Sequence, residues 1–405
     1  MFAQKIVYIV SRFPMLTETF ILREIEEVKH RGIEVEIFSL RNVKLNETTH
    51  LGSHELIKNT WYFPFFLSFR IWKAVFFYLT TRPWCTIEIF AKIIRTHFMN
   101  PIFLLKTLAI FPKALTISRL LKDMKAIKIH AHWATLPTTV AWIISKLNGC
   151  GFTFTGHAWD IFQVDNMLED KILAADKVIT CTNFNRKYLV EKYPNINSDK
   201  VAVVYHGLDF SQFTPCVKEE ESTFTILSIG RLNEKKGFHY LLEACHVLRQ
   251  SEIPFRCQII YVDGHFKKEI FQLYHNLKLE DCVQFIPEMP QEELNKYYKS
   301  ADCFVLPCVV TENGNRDGIP NVIIEALAMK LPVVTTFVSG LPEVIKDGQN
   351  GLLVQPGNAK DVASAIERLY RDKKLREMLG EAGREKVYQQ FEISATVDRL
   401  LKHIL

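Results

Sequence analysis

Two carboxylates bracket a predicted helix start in the segment RDGIPNVIIEALAMKLPVVTT. Asp317 comes before this helix and Glu325 falls in its second turn, while Pro320 suits the first helical position. The backbone N–H groups of residues 319–322 would face an anion such as a diphosphate. The structural alternative is a turn followed by an ordinary helical glutamate.

A second candidate segment, GRLNEKKG, follows a predicted strand at residues 223–229. Its Arg231 and Lys236 lie on one strand-to-helix loop, where a planar guanidinium and an ammonium group suit a diphosphate. Lys235 could replace Lys236 after a slip of one residue. Most surface lysines are simply solvated, so this segment gains force from its combination with the first.

Histidines supply the third candidate site. His157, in TFTGHAWDIF, follows a predicted buried strand and could donate to a sugar hydroxyl or a phosphate oxygen, although a structural histidine is the alternative. His130 and His132 alternate on another strand, but no third ligand is evident, so we predict no metal site. The sequence also has no D-x-D, and Arg231 and Lys236 could neutralise leaving-group charge in place of a metal ion.

The elements that position these residues recur in two halves. Strand, loop and helix follow one another at residues 5–30 and again at residues 223–250, and each set continues into another strand. This order predicts two doubly wound parallel-sheet α/β domains, joined by a polar linker at residues 214–222. Polar residues collect at the carboxyl ends of the strands, where open sheets bind ligands. Neither a phosphate loop nor G-x-G-x-x-G occurs, so no cofactor is predicted.

The overall composition excludes several classes of protein. The 405 residues are 48% hydrophobic and 23% charged, and the net charge is only +5, so disorder and charge-driven nucleic-acid binding are both disfavoured. Nine scattered cysteines without a C-x-x-C pair indicate a reduced, cytoplasmic compartment. The first residues resemble a buried strand and not a signal peptide, and no uncharged apolar run reaches membrane-spanning length.

Basic and aromatic residues are concentrated between residues 60 and 128. This stretch has eleven Lys or Arg against only Glu88 and Asp123, and thirteen aromatic residues lie between residues 61 and 98. Helices packing on the core and a surface resting on an anionic membrane are both open interpretations. A helix at residues 84–99 should have an apolar face opposite its charged residues. Its apolar row is Ile87, Phe90, Ala91, Ile94 and Phe98. Rim residues for a membrane surface would be Arg70, Lys73, Lys92 and Arg95.

Four C-terminal segments, GRLNEKKG, DGIPNVIIE, LPVVTT and DGQNGLLVQPGN, together closely resemble glycosyltransferase family 4. The usual E-x7-E motif of that family appears here as Asp317 and Glu325, so the first carboxylate is one methylene shorter. The segments SRFPMLTETFI, HAHWATLPTTVAW, TFTGHAWDIF, CTNFNRKYL and YHGLDFSQF resemble its capsule and exopolysaccharide branch, colanic-acid-type enzymes among them. The resemblance covers nearly the whole chain.

This resemblance implies the GT-B fold, in which two Rossmann-like doubly wound domains face a central cleft. It divides the chain into an acceptor-binding domain at residues 1–215 and a nucleotide-sugar-binding domain at residues 222–390. A final helix at residues 391–405 would pack back on the first domain. The family retains anomeric configuration at the transferred sugar.

Site residues follow from the same resemblance. Arg231 and Lys236 would bind the donor diphosphate, and Glu325 would hold the ribose hydroxyls. Asp317 and His157 would contact the donor sugar. The implied catalytic set is His157, Asp317, Arg231 and Lys236. The implied donor-binding set is Arg231, Lys236, Gly318, Ile319, Pro320, Asn321 and Glu325. On the acceptor side we place Glu18 and His132.

The function expected from this resemblance is transfer of a hexose-type sugar. The donor would be a UDP- or GDP-sugar, and no metal or cofactor would take part. The acceptor would be a growing, lipid-linked bacterial glycan at the inner face of the cytoplasmic membrane. Two alternatives stay open: a transferase of the same fold with a soluble acceptor, and a catalytically silent membrane-bound scaffold of polysaccharide assembly.

Overall fold

In the computed structural model the chain forms two compact units. The structure describes residues 5–15, 18–42, 53–62, 68–122, 124, 127–163, 167–216 and 223–405. The first unit comprises Met1–Cys181, Asn185–Tyr205 and Thr396–Leu405. The second comprises Thr182–Phe184 and His206–Ala395. Most of the predicted linker at residues 214–222 lies outside the described residues.

Within the described residues, the first unit is built on a seven-stranded parallel sheet of order β3-β2-β1-β4-β5-β6-β7. Its strands are β1 Lys5–Arg12, β2 Glu34–Arg41, β3 Thr60–Tyr62, β4 Ile127–His132, β5 Phe152–Gly156, β6 Lys177–Thr180 and β7 Val201–Val203. All five residues from Ile6 to Val10 are fully buried, as expected for a strand covered on both faces. The strand order reverses between β1 and β4, and ligands of doubly wound sheets bind beside such a reversal.

Helices cover both this sheet and its flanks. They are α1 Thr19–His30, α2 Ser53–Lys58, α3 Phe69–Thr81, α4 Pro83–His97, α5 Pro101–Leu121, α6 Leu136–Asn148, α7 Trp159–Phe162, α8 Leu168–Ala174 and α9 Asn183–Lys192. α5 is long and apolar enough to cross a membrane by length and composition alone, which the sequence analysis did not anticipate. Just over half of its most apolar stretch is buried inside the protein, and Lys113 within it donates to the carbonyl of Leu40. Such a helix is also typical of a soluble core.

The second unit repeats the same plan with a six-stranded parallel sheet of order β10-β9-β8-β11-β12-β13 among the described residues. Its strands are β8 Phe224–Arg231, β9 Phe255–Val262, β10 Val283–Pro287, β11 Cys303–Val305, β12 Val333–Thr336 and β13 Leu352–Val354. Its helices are α10 Phe238–Gln250, α11 Lys267–Asn276, α12 Gln291–Ser300, α13 Asn321–Ala328, α14 Leu341–Val344, α15 Ala359–Arg371 and α16 Lys373–Phe391. The order reverses between β8 and β11. The sequence prediction of two doubly wound α/β domains is therefore confirmed.

Two predicted helix boundaries were wrong in detail. Pro320 precedes α13 as its N-cap residue and does not occupy the first helical position. The predicted single helix at residues 391–405 is divided, because α16 ends at Phe391 and α17 runs over Ile393–Ile404. From Thr396 onward, α17 and the last residue, Leu405, belong to the first unit.

α4 buries a different row from the apolar face that the sequence indicated. The helix buries a row formed by Thr86, Ile89, Ile93 and His97. The predicted apolar row lies largely at the surface, with Ile87 53% exposed and Phe98 73% exposed. Both rows repeat at helical spacing, so α4 is apolar on two faces and only one of them is used by the core.

Candidate functional site

The loop after β8 carries the cationic residues of the second unit. β8 ends at Arg231, a 3-10 turn spans Glu234–Lys236, and Gly237, with φ at +70°, is the N-cap residue of α10. A Cβ at Gly237 would lie 1.8 Å from the carbonyl oxygen of Pro307, just beyond β11. In addition, the Val309 N–H donates to the carbonyl of Lys235 at 3.0 Å. The loop is thus held against the chain that leaves β11, at the reversal of strand order.

Asp317 forms two ion pairs with this loop. Its carboxylate lies 2.8 Å from the amino group of Lys235 and 2.8 Å from that of Lys236. The three side chains are only 14–18% exposed, so water screens them weakly. Burial disfavours the charged carboxylate, but the two ammonium groups outweigh burial and lower the pKa of Asp317 to about 2. Asp317 is therefore ionised throughout the physiological range.

Arg231 and Lys236 lie close enough for their charges to repel. Arg231 is exposed and donates to the backbone carbonyl of Asp263 at 3.2 Å. Burial and the Arg231 charge lower the pKa of Lys236, but the attraction of Asp317 outweighs them and raises it overall. The structure thus brings Arg231, Lys235, Lys236 and Asp317 into one cluster with a net positive charge, which suits an anionic ligand.

Glu325 lies deeper, in the second turn of α13. It is 4% exposed, and its Oε2 accepts a hydrogen bond of 3.1 Å from the hydroxyl of Tyr298 on α12. Gly318, Ile319, Pro320 and Asn321 connect Asp317 to the first turn of this helix. The two predicted carboxylates therefore differ in surroundings, since Asp317 faces ammonium groups and Glu325 a phenol.

His157 occupies the carboxyl end of β5 in the first unit, enclosed by aromatic rings. Its ring centroid lies 4.1 Å from that of Trp133, 5.1 Å from that of Phe20 and 5.7 Å from that of His132. The side chain is only 5% exposed. Trp133 follows β4 with φ at +77°, an uncommon conformation for a bulky residue and one that clusters at functional sites.

The two acceptor-side candidates lie beside these rings. Trp133 Nε1 approaches Glu18 Oε2 at 3.4 Å, and burial raises the pKa of Glu18. His132 is fully buried, and its Nε2 lies 3.0 Å from Oε1 of Glu24 on α1. The same oxygen accepts a 3.1 Å hydrogen bond from the hydroxyl of Tyr8.

Glu24 corrects one expectation from the sequence, which offered no third metal ligand beside His130 and His132. One ligand atom from each of these three residues lies within 4.8 Å of the others. Both nitrogens of His130, however, are hydrogen-bonded, to Thr153 at 2.8 Å and to Thr155 at 3.1 Å. The cluster is thus already satisfied by protein groups except at His132 Nδ1, which has no partner within the described residues.

Three functional candidates were missed by sequence analysis: Lys235 as a full member of the cationic cluster, Trp133 and Asp160. Lys235 appeared only as a substitute for Lys236, although both contact Asp317. Asp160 stands three residues after His157, and its carboxylate accepts the His157 N–H at 2.9 Å. A polar residue soon after a strand-end histidine was the available signal for it.

Comparison with known proteins identifies two family regions. The model described as Glycosyltransferase Family 4 matches residues 17–212, and the one described as Glycosyl transferases group 1 matches residues 213–386. A putative colanic acid biosynthesis glycosyltransferase, WcaL of Salmonella typhimurium, is 34% identical over 209 residues, 51% of each chain. The amylovoran biosynthesis glycosyltransferase AmsK of Erwinia amylovora is 35% identical over 173 residues, 42% of each. The chain thus spans about half, or less, of the length of these relatives.

Solved structures match over almost the full length. A glycosyltransferase from Rickettsia africae superposes with a TM-score of 0.73 at 19% identity, covering 99% of this chain and 98% of its own. Anabaena Alr3699/HepE, solved with UDP and glucose, gives a TM-score of 0.71 at 15% identity, with 98% of both chains covered. At these identities the likeness establishes the fold. With the two family regions accounting for residues 17–386, the chain belongs to glycosyltransferase family 4 and has the GT-B fold.

Proposed function

We propose that this protein is a glycosyltransferase of polysaccharide biosynthesis that uses a nucleoside diphosphate sugar as donor. The observation that carries the proposal is the cluster of Arg231, Lys235, Lys236 and Asp317 at the strand reversal of the second unit. Support comes from relatives named for colanic acid and amylovoran biosynthesis and from the UDP bound in the Anabaena structure. Activity, donor and acceptor are part of the proposal.

On this proposal the second unit binds the donor. Arg231 and Lys236 bind the diphosphate, and Glu325 holds the ribose hydroxyls. The segment Gly318, Ile319, Pro320 and Asn321 lies beside the donor sugar. Because Lys236 already pairs with Asp317 at 2.8 Å, an incoming diphosphate shares or takes over that ammonium group. Asp317 is then available to contact the sugar ring.

Catalysis consists mainly of stabilising the departing diphosphate. Its charge grows as the bond to the anomeric carbon breaks, and fixed cations stabilise that charge more in the transition state than in the ground state. Arg231 and Lys236 supply these cations without a metal ion, and His157 contacts the donor sugar from the first unit. We propose that the sugar transferred is of the hexose type. Its anomeric configuration would be retained.

The first unit binds the acceptor, with Glu18 and His132 on that side. We propose a lipid-linked glycan at the inner face of the cytoplasmic membrane, because α3, α4 and α5 expose apolar residues next to basic ones. Trp72 is 60% exposed, Phe76 70% and Trp84 82%, while Arg70, Lys73 and Arg95 are also exposed. The same combination disfavours a soluble acceptor.

Replacement of the cations tests this function. Arg231→Ala and Lys236→Ala should each lower kcat/KM, with a loss of about 1.5–3 kcal/mol of transition-state stabilisation. Both kcat and donor affinity should fall. Lys299→Ala, in the last turn of α12, is the control and should change neither. The assay measures donor hydrolysis and transfer across UDP-, GDP- and ADP-sugars, with and without EDTA.

Each outcome of this assay has a consequence. Wild-type turnover in both variants would refute the diphosphate assignment. Donor binding without hydrolysis of any sugar nucleotide would favour the scaffold alternative. Activity should survive EDTA; complete loss that Mn²⁺ or Mg²⁺ restores would refute the metal-independent mechanism and direct attention to Glu24, His130 and His132.

A further inference from the structure

Asp160 connects the two loops that carry the aromatic and histidine residues of the first unit. The residue is fully buried, at the start of α7. Its Oδ2 accepts the N–H of Ala134, in the loop after β4, at 2.6 Å. Its Oδ1 accepts the N–H of His157, in the loop after β5, at 2.9 Å. One carboxylate therefore fixes both strand ends relative to each other.

Two further buried side chains hold the same loops from their other sides. Lys171, on α8 and 1% exposed, donates to the carbonyls of Ala134 at 2.8 Å and Thr135 at 3.3 Å. Asn185, on α9 and fully buried, donates to the carbonyl of His157. The N–H and the C=O of His157 are thus both bonded to buried side chains, and its backbone has little freedom to rotate.

We infer that Asp160 is a positioning residue that sets the orientation of His157 and Trp133 for sugar transfer, with Lys171 as its supporting cation. The inference rests on the proposed function, because it gives His157 its contact with the donor sugar. A side chain that contacts the reacting sugar must be placed to within a fraction of an ångström, and a backbone bonded at both ends provides this.

The surroundings of Asp160 make its charge sensitive to pH. Burial raises the pKa of Asp160 to about 6, although the backbone N–H groups and Lys171 oppose the rise. Other titratable groups in this region include Glu18, just before α1, and the stacked rings of His132 and His157. The buried thiol of Cys181, which donates to the carbonyl of His157 at 3.6 Å, is another. The ionised carboxylate accepts both N–H bonds, whereas a proton on one oxygen would point at a donor.

Asparagine has the shape of aspartate but cannot replace it here. The amide offers one oxygen acceptor, and its NH₂ group is a donor. In Asp160→Asn, either the Ala134 N–H or the His157 N–H would therefore face another donor at hydrogen-bonding distance. We expect the loop on that side to move away, while the fold of the second unit is unaffected.

Kinetics of the full-length protein test the inference. Asp160→Asn should lower kcat by about 10- to 100-fold. Donor affinity should stay within about twofold, because the proposed contacts with the diphosphate and ribose all come from the second unit. The acidic limb of the kcat/KM profile near pH 6 should disappear in this variant. It should move to higher pH in Lys171→Met, because removing a nearby cation makes the carboxylate easier to protonate. Asp199→Asn, on an exposed turn, is the matched control and should resemble wild type.

Hydrogen exchange provides a measurement that does not depend on activity. In Asp160→Asn, peptides covering residues 131–138 and 156–163 should exchange faster than in wild type or Asp199→Asn. Wild-type kcat together with an unchanged acidic limb in Asp160→Asn would overturn the inference, as would unchanged exchange in both peptides. If wild type transfers no sugar while exchange accelerates as expected, the proposed function fails and the loop connection stands.

Discussion

At the scale of single residues, the pairing of Asp317 with two lysines is the feature with the clearest energetic consequence. Removing one partner of a buried ion pair leaves the remaining charges uncompensated. In Asp317→Asn, Lys235 and Lys236 would face each other without their shared counter-ion. We expect the free energy of unfolding to fall by about 2–4 kcal/mol, measured by urea denaturation.

The same substitution should strengthen binding of a nucleoside diphosphate that lacks a sugar. Lys236 no longer has to leave a carboxylate, so the affinity for UDP or GDP should rise by about fivefold in calorimetry. Asp317→Glu is the control, because it keeps the charge and lengthens the side chain by one methylene. Weaker diphosphate binding in Asp317→Asn would show that Asp317 does not compete for Lys236.

Asp160 predicts a pH-dependent difference in stability between wild type and Asp160→Asn. Its pKa is about 6 in the folded protein against an ordinary value of 3.8, so the folded state binds a proton more readily than the unfolded state. The contribution of such a group is greatest at low pH and is lost as pH rises through 6. Relative to the variant, wild type should gain about 1–2 kcal/mol between pH 8 and pH 5. A constant difference across this range would contradict the buried, ionisable state of Asp160.

At the scale of elements, the turn into α10 is the tightest constraint on the cationic loop. Gly237 and Gly348 both have φ at +70°, but a Cβ at Gly348 would meet nothing within 4 Å. Gly348→Ala should therefore cost only the conformational penalty, about 1 kcal/mol. Gly237→Ala adds the clash with the Pro307 carbonyl, so thermal unfolding should show a further loss of about 1–3 kcal/mol. Equal losses in the two variants would mean that the loop moves freely away from β11.

Sequence patterns predicted the elements better than the contacts between them. The apolar run from Ile6 to Val10 predicted a buried strand. Polar residues after successive strands indicated that ligands bind at the carboxyl edge of each sheet. The pairing of Asp317 with Lys235 could not be foreseen, because it depends on how residues 306–320 fold back. Likewise, the burial of Asp160 follows from tertiary packing, which spacing does not encode.

α4 shows why the sequence could not decide whether its predicted apolar face packs on the core. The row through Ile87 and Phe98 and the row through Ile89 and Ile93 are both apolar and both have helical spacing. Hydrophobic periodicity alone cannot choose between two such rows. The packing of α4 against its neighbours decides the choice, and it leaves the more aromatic row at the surface.

At the scale of the whole molecule, exposed apolar residues are concentrated in one region of the first unit. Large side chains at least 40% exposed occur along α3, α4 and the start of α5, at helical spacing within each helix. They are Phe69, Trp72, Phe76, Leu79, Trp84, Ile87, Phe90, Ile102 and Leu105. Exposed Arg70, Lys73 and Arg95 accompany them, whereas Lys92 is partly engaged by Asp170 at 2.8 Å. Apolar patches of this kind are typical of interaction surfaces.

This concentration predicts binding to anionic bilayers, in keeping with the lipid-linked acceptor proposed above. Aromatic insertion and electrostatic attraction both contribute, the latter about 1 kcal/mol for each basic residue near the surface. Because charges are screened beyond about 8 Å at physiological salt, co-sedimentation with anionic liposomes should weaken as salt rises.

Trp84→Ala combined with Phe98→Ala should lower partitioning onto anionic liposomes by about tenfold. The control pair, Met378→Ala with Tyr388→Ala, removes two exposed large side chains from the second unit. This pair should leave partitioning unchanged. Equal partitioning on neutral and anionic vesicles, or none on either, would show that this surface does not serve an anionic membrane.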